Sequence, residues 1–236
     1  MTGTRAAQEP RGSYCTHWAM SRRAVLACCC SLAAALLLRA EARAAVPAAA
    51  ALTPHDNADL QRIAAYLTSI RTMYAKFQQV STTGGGTVTG QLWMVRPGRM
   101  RFEYDPPSPI LLLADMFYVY YIDKQLVQMS KVGLKSTPAW LLLRDPITFN
   151  DLIVTRFERG AGTIRITVVE TAEPDSGSLT MVFTDPPLML RQWSIVDQQR
   201  KTTTVSLYDE RFGMALDPKL FVYQDPYAAS RRQYEP

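Results

Sequence analysis

The sequence predicts a mainly β protein, with one amphipathic helix leading into about a dozen short antiparallel strands. Three observations carry this. Hydrophobic periodicity is helical near residues 56–73 and switches to two from Tyr74 onward. Clusters of Gly, Pro, Asp and Ser punctuate the chain at the spacing of a sandwich or barrel. No long helix alternates with the strands, which excludes a parallel α/β sheet. A large antiparallel sheet tends to curl or close, and beyond about eight strands a curved sheet can enclose a ligand.

The first 44 residues read as targeting rather than fold. Ser21-Arg22-Arg23 is followed by the uncharged apolar run Ala24–Leu38, then by small-residue sites at Ala40-Glu41-Ala42 and Ala42-Arg43-Ala44. That order is a signal peptide, cleaved after Ala44 or after Ala42. Met20, directly before Ser21, is an alternative start. The run is short of the ~20 residues that span a bilayer. Ser21-Arg22-Arg23-Ala24-Val25-Leu26 fits a twin-arginine signal as well as an ordinary secretory one, so both export routes stay open.

This segment absorbs the chain's two most conspicuous numbers. The whole sequence of 236 residues carries 26 Lys+Arg against 21 Asp+Glu, a net +5. Arg5, Arg11, Arg22, Arg23, Arg39 and Arg43 against Glu9 and Glu41 account for +4 of it, leaving +1 beyond Ala44. The electrostatic case for nucleic-acid binding then lapses. All four cysteines (Cys15, Cys28, Cys29, Cys30) also precede Ala45. An exported chain without disulfides must be held by its core.

Residues 45–55 are an Ala/Pro linker, expected to be flexible. Asp56 or Asn57 can cap a helix to about Met73, with Leu60, Ile63, Ala64, Leu67 and Ile70 as its apolar stripe. Strands follow at Tyr74–Val80, Thr87–Arg96, Met100–Tyr104, Ile110–Ala114, Phe117–Ile122 and Gln125–Lys131. Pro138–Arg144 reads as a helix with proline in its first turn, and Ile147–Leu152 as a second short helix beyond Pro146. Strands resume at Ile153–Arg159, Thr163–Glu170, Leu179–Thr184, Leu188–Val196 and Lys201–Tyr208, with a short edge at Met214–Leu216. Leu92, Met94, Met100, Phe102, Tyr118, Tyr120 and Met129 are the inward candidates. They are soft and aromatic side chains that suit irregular apolar ligands, with an ordinary core as the alternative.

Catalytic patterns are missing. Beyond Ala44 there is one histidine, His55, and no cysteine, which removes Cys/His zinc sites and leaves a Ser-His-Asp triad poorly placed. No phosphate loop, dinucleotide fingerprint or nucleophile elbow occurs. Asp209-Glu210 is a carboxylate pair, but neighbouring strand residues point to opposite faces. No enzyme activity, cofactor or metal is expected. A carboxylate-dependent hydrolase is the one catalytic alternative.

Phe77-Gln78-Gln79, the run Gly90-Gln91-Leu92-Trp93-Met94-Val95-Arg96-Pro97-Gly98 with its aromatic continuation to Tyr104, Ser136-Thr137-Pro138, and Asp217-Pro218-Lys219-Leu220-Phe221 followed by Pro226 stand in a particular order. In order and spacing the chain resembles the periplasmic outer-membrane lipoprotein carrier (LolA) family across nearly all of 56–226. The resemblance implies an incomplete antiparallel β-barrel of about eleven strands, covered by a helical lid made from 56–73 and 138–152. Residues 227–236 are a tail.

It further implies a periplasmic carrier of lipoprotein acyl chains. Cargo would come from an inner-membrane ABC transporter and pass to the outer membrane, through a receptor lipoprotein where one exists. Arg96 falls on the family's arginine that bonds the lid; read without the resemblance, it is a strand-end arginine, solvated or paired with an acid. Met100 stands where the family commonly has Phe. The implied lipid-binding residues are Leu92, Met94, Arg96, Met100 and Phe102. A monomer without nucleic-acid partners is expected. A lipid-binding or sensing periplasmic protein of the same fold is the alternative.

Overall fold

The computed structural model describes residues 47–84 and 86–223. The expected signal peptide (1–44), the tail (227–236) and Pro226 lie outside the described residues. One helix, α1 (Pro54–Ser69), precedes eleven strands: β1 (Thr72–Ser81), β2 (Thr87–Val95), β3 (Arg99–Tyr104), β4 (Ile110–Asp115), β5 (Tyr118–Asp123), β6 (Gln128–Gly133), β7 (Leu152–Gly160), β8 (Thr163–Glu170), β9 (Gly177–Thr184), β10 (Met189–Asp197) and β11 (Thr202–Phe212). All pair antiparallel in one sheet, ordered β6-β5-β4-β3-β2-β1-β11-β10-β9-β8-β7. The sheet does not close: β6 and β7 are its free edges. It is the incomplete barrel that the sequence implies.

Side chains alternate along the strands except at irregularities near Tyr74, Leu190 and Val154, and the register decides which residues share the inner face. Phe77 sits opposite Gly90 on one side and Leu207 on the other, and Leu92 opposite Phe102. Trp193 is opposite Met181, and Met181 opposite Ile166. These residues, buried together, form one apolar cluster that includes Leu60, Ile63 and Leu67 of α1. Edge-on aromatic contacts run through it. Phe77 meets Phe102 at 4.8 Å and Tyr104 at 5.2 Å, and Phe102 meets Trp193 at 6.3 Å. Gly90 makes room for this. A Cβ there would lie 2.8 Å from the Phe77 ring and 2.1 Å from the Glu103 carbonyl oxygen.

Opposite register places Leu111, Leu113 and Ile122 on the outer face, as a second small apolar cluster with Tyr120 and Tyr223. The segment after β11 lies over it, and Arg101 Nη1 donates to the Leu220 carbonyl at 3.1 Å. Tyr118, Tyr120 and Met129 belong to this outer face, not to the interior: Tyr120 opposes Lys131, and Met129 opposes Ile122. The expectation that they face inward is corrected. In β4–β6 both faces carry apolar side chains, so alternation alone does not say which face is the core.

Four boundaries also differ. The α1 cap is Thr53, whose hydroxyl accepts the Asp56 N–H at 3.2 Å while the Asp56 carboxylate accepts the Thr53 N–H at 2.7 Å. Pro54 and His55 are therefore helical, and the linker ends at Thr53. Ala50 is tied to edge strand β7 by its N–H to the Val154 carbonyl, 2.8 Å. The helix stops at Ser69 because Thr72 and Met73 are already paired with β2. Residues 147–151 are irregular rather than helical. Pro146 follows Asp145, and the backbone there bonds side chains instead: the Ile147 N–H goes to Thr68 Oγ1, and the Thr148 carbonyl to Arg144. No strand forms at Met214–Leu216. Gly213, at φ +71°, turns the chain out of the sheet into a short 3₁₀ turn, Pro218–Phe221.

The N-terminal half of α1 is held electrostatically. Arg159 of β7 donates to both Asp56 and Asp59, and Arg62 links Asp59 to Asp185 in the β9–β10 turn at 2.9 Å each. Both carboxyl groups sit below their ordinary value of 3.8. For Asp56 the main cause is the Thr53 hydroxyl. For Asp59 burial pushes upward, and the hydrogen bonds from Arg159 and Arg62 overcome it.

Two outcomes follow from the packing and the charges. Gly90→Ala destabilises the fold by about 1–3 kcal/mol, read from the denaturant midpoint, because neither the Phe77 ring nor the β3 backbone can retreat freely. Groups with lowered folded-state values stabilise fully above the ordinary carboxylate range and lose that contribution as pH falls through the lowered values. Arg159→Ala should therefore move the onset of acid unfolding, followed by circular dichroism, to higher pH. An unshifted acid limb would contradict the network.

Candidate functional site

The sheet's inner face and its cover form the site. Leu92 and Met94 of β2 and Met100 and Phe102 of β3 are cross-strand neighbours, Leu92 opposite Phe102 and Met94 opposite Met100. Leu92, Met94 and Phe102 are buried, and Met100 packs at the margin of the same cluster. Met94 and Met100 put two flexible thioethers side by side near the sheet's end, where the lining adapts most readily. Above this floor sit α1 and the short helix α2 (Trp140–Leu143), whose Leu141, Leu142 and Leu143 fill the space beneath. The interior is thus occupied by the protein's own cover. A bound chain would need α1 and α2 to lift.

Arg96 stands one residue past β2 and is 6% exposed. Its Nε donates to the Leu142 carbonyl and its Nη1 to the Ile70 carbonyl, both at 2.9 Å. Two backbone bonds flank these: the Arg96 N–H to the Arg71 carbonyl and the Gly98 N–H to the Leu143 carbonyl, also 2.9 Å each. Ile70 caps the C-terminus of α1, and Leu142 and Leu143 end α2. Terminal carbonyls of a helix lack intrahelical donors and carry its partial negative charge. No basic residue occupies the last turn of α1. Arg96 supplies that cation from the sheet and joins both cover elements to one β-turn.

Among the described residues this arginine has no carboxylate partner within bonding distance, so the acid-paired alternative is set aside in favour of carbonyl bonding. Burial pulls its guanidinium down to about 10, and the nearby Asp145 charge offsets part of that. It stays protonated at neutral pH. The bonds are therefore charge-assisted, and each contributes about 1.5–3 kcal/mol against leaving the carbonyl unpaired.

A groove of about 600 Å³ opens at the seam between α1 and the segment entering β7, lined by Leu52, Leu60, Ala64, Ile147, Phe149 and Val154. It lies beside edge strand β7, with Asn57, Gln61 and Asn150 at its polar margin. Sequence reasoning marked Leu60 and Ala64 as a helix stripe but read 147–152 as helix, so the groove was not visible. Nor were Ile70 and Leu142 as partners of Arg96, because they act through backbone oxygens that carry no residue-type signal.

The carboxylates considered for catalysis are engaged elsewhere. Asp209 pairs with Lys76 at 2.9 Å and Glu210 with Arg191 at 2.9 Å, from opposite sides of β11. Among the described residues no group of three His, Cys, Asp or Glu side chains is placed to hold a metal.

The model of the "Outer membrane lipoprotein carrier protein LolA" family matches residues 68–224. The outer-membrane lipoprotein carrier protein of Pseudomonas aeruginosa is 27% identical over 179 residues, covering 72% of this chain and 86% of that protein. The protein of the same name from Chromohalobacter salexigens is 27% identical over 179 residues, covering 72% and 84%. Among solved structures, a LolA superfamily protein from Nitrosomonas europaea superposes with a TM-score of 0.40 at 9% identity, covering 70% of this chain and 97% of that one. A likeness that distant adds nothing to the family match, which spans the site from the end of α1 through Arg96 to the turn after β11. On that match, the chain belongs to the outer membrane lipoprotein carrier protein LolA family.

Proposed function

We propose that this protein is a periplasmic carrier that takes up the acyl chains of lipoproteins released from the inner membrane and hands them on to the outer membrane. The observation that carries the reading is Arg96: one buried cation closes both cover elements over an apolar sheet. A lipoprotein's acyl chains lose about 0.8 kcal/mol per CH₂ on exposure to water, so they cannot cross an aqueous space unaided. A carrier must shield them and still let go. That requires closed and open forms within a few kcal/mol of each other. Charge-assisted bonds to two carbonyls have the right size to set that gap.

In this reading the empty protein is closed, and Leu141–Leu143 and the α1 stripe occupy the acyl site. Leu92, Met94, Met100 and Phe102 form the floor against which the chain lies. Cargo enters as the cover lifts away from Arg96, and re-formation of the Arg96 bonds favours release. An inner-membrane ABC transporter as donor and an outer-membrane receptor lipoprotein as acceptor complete the proposed route.

Removing the latch lowers the cost of opening. Apparent affinity scales with the open fraction, so Arg96→Leu should tighten binding of a fluorescent acyl probe by about tenfold or more and slow cargo release to acceptor membranes. Uptake and release measured separately at wild-type values would end the latch reading. Met100→Asp puts a charge into the floor and should weaken probe binding roughly tenfold or more, read by fluorescence titration. Unchanged binding would place the acyl chain elsewhere.

A further inference from the structure

We propose that the β4–β5 turn, with Phe117 at its tip, docks this protein on a lipid bilayer bearing anionic headgroups. Phe117 is 73% exposed, and its neighbours Met116 and Tyr118 are exposed as well. Three adjacent large apolar side chains in water are not explained by the core they leave behind.

The turn is built to hold them out. Asp115 Oδ1 accepts the N–H groups of Phe117 and Tyr118 at 3.1 and 2.9 Å, and its Oδ2 accepts the Tyr120 hydroxyl at 2.7 Å. The Met116 N–H donates to the Gly98 carbonyl, and the Leu134 N–H to the Phe117 carbonyl, both at 2.8 Å. Met116 takes φ +79°, a left-handed backbone that is unfavourable for a side chain of its kind. Gly98 lies so close that a Cβ on it would fall 2.7 Å from the Met116 Cα. The tip is thus a fixed projection.

Its surroundings select the partner. Lys131 Nζ stands 4.5 Å from the Tyr118 ring centre, and Lys135 Nζ 5.6 Å from the Trp140 ring centre. Lys131, Lys135 and Arg99 are exposed, whereas the Asp115 carboxylate is engaged within the turn. An apolar tip ringed by amphipathic Tyr and Trp and by lysines is matched to the boundary of an anionic bilayer. There the tip enters the acyl region, the aromatic rings sit at headgroup level and the ammonium groups meet phosphate.

Position gives the contact a consequence, and here the inference rests on the carrier reading. Gly98 accepts from Met116 and donates to Leu143, so tip, latch turn and cover are hydrogen-bonded in series. Docking brings the Arg96 end of the site to the membrane surface, where an acyl chain can pass without crossing water.

The test uses the protein purified after export and vesicles of phosphatidylethanolamine with phosphatidylglycerol, or of phosphatidylcholine alone. Wild type should co-sediment with the anionic vesicles more strongly than with the neutral ones. Phe117→Ser should lower that partitioning roughly tenfold. Lys131→Gln with Lys135→Gln should lower it about fivefold per lysine at low salt and remove most of its salt dependence. Acyl-probe binding in solution should be unchanged in all variants, which separates this test from that of the carrier reading. Equal sedimentation of wild type and Phe117→Ser would overturn the proposal. So would absence of wild-type binding to anionic vesicles while a photo-crosslinker at position 117 captures a membrane protein, because the tip would then face a protein partner.

Discussion

The closed cover depends on Arg96, one of two buried arginines among the described residues. An open sheet of eleven strands has an apolar inner face too wide for its own side chains to seal, and two short pieces of helix complete it. Helices α1 and α2 bury leucines and isoleucines against that face, an interaction without direction, and α1 adds a Leu190 N–H bond to the Tyr66 hydroxyl at 3.1 Å. Arg96 gives it direction. It takes the terminal carbonyls of both elements and fixes them to the β2–β3 turn. Removing a protonated guanidinium from water is costly, and its folded-state value of about 10 records that cost. Both carbonyls are bonded by the same guanidinium, which ties the two cover elements together.

The two ends of α1 are held by different physics. At the N-terminus, Asp56 and Asp59 meet Arg159 and Arg62 in a network with one side in water. The carboxylates are buried while the arginines keep one side exposed. At the C-terminus, Arg96 is buried and bonds backbone carbonyls only. A helix held this way can pivot about its acidic end once the buried bond is broken. The groove between α1 and β7 lies beside that acidic end.

Much of this was legible in the sequence. The period-two runs, the turn residues and the absence of alternating helices marked eleven of the strands, and the resemblance carried by the run from Gly90 to Tyr104 implied Leu92, Met94, Arg96, Met100 and Phe102 as one site. Gly90 in that run has a local reason, the Phe77 ring. What was not legible has physical causes. Tyr118, Tyr120 and Met129 alternate as inner residues would, but a second apolar cluster on the outer face reverses the inference. Residues 147–152 are too few for pattern to decide between helix and loop, and Pro146 with the bonds to Arg144 and Thr68 draws the backbone into irregular bonding. The partners of Arg96 are backbone oxygens, which no pattern of side chains reports.

The central claim is that the cover opens by breaking at Arg96 while the sheet stays intact. Amide hydrogen exchange of the empty protein and of the protein saturated with a diacyl probe measures this directly. The account predicts that α1 and α2, together with the Gly98 amide that bonds Leu143, lose protection on binding, while β1, β2, β10 and β11 keep theirs. Unchanged protection in α1 and α2 with probe bound would contradict it, because the acyl chain would then sit outside a cover that never lifts.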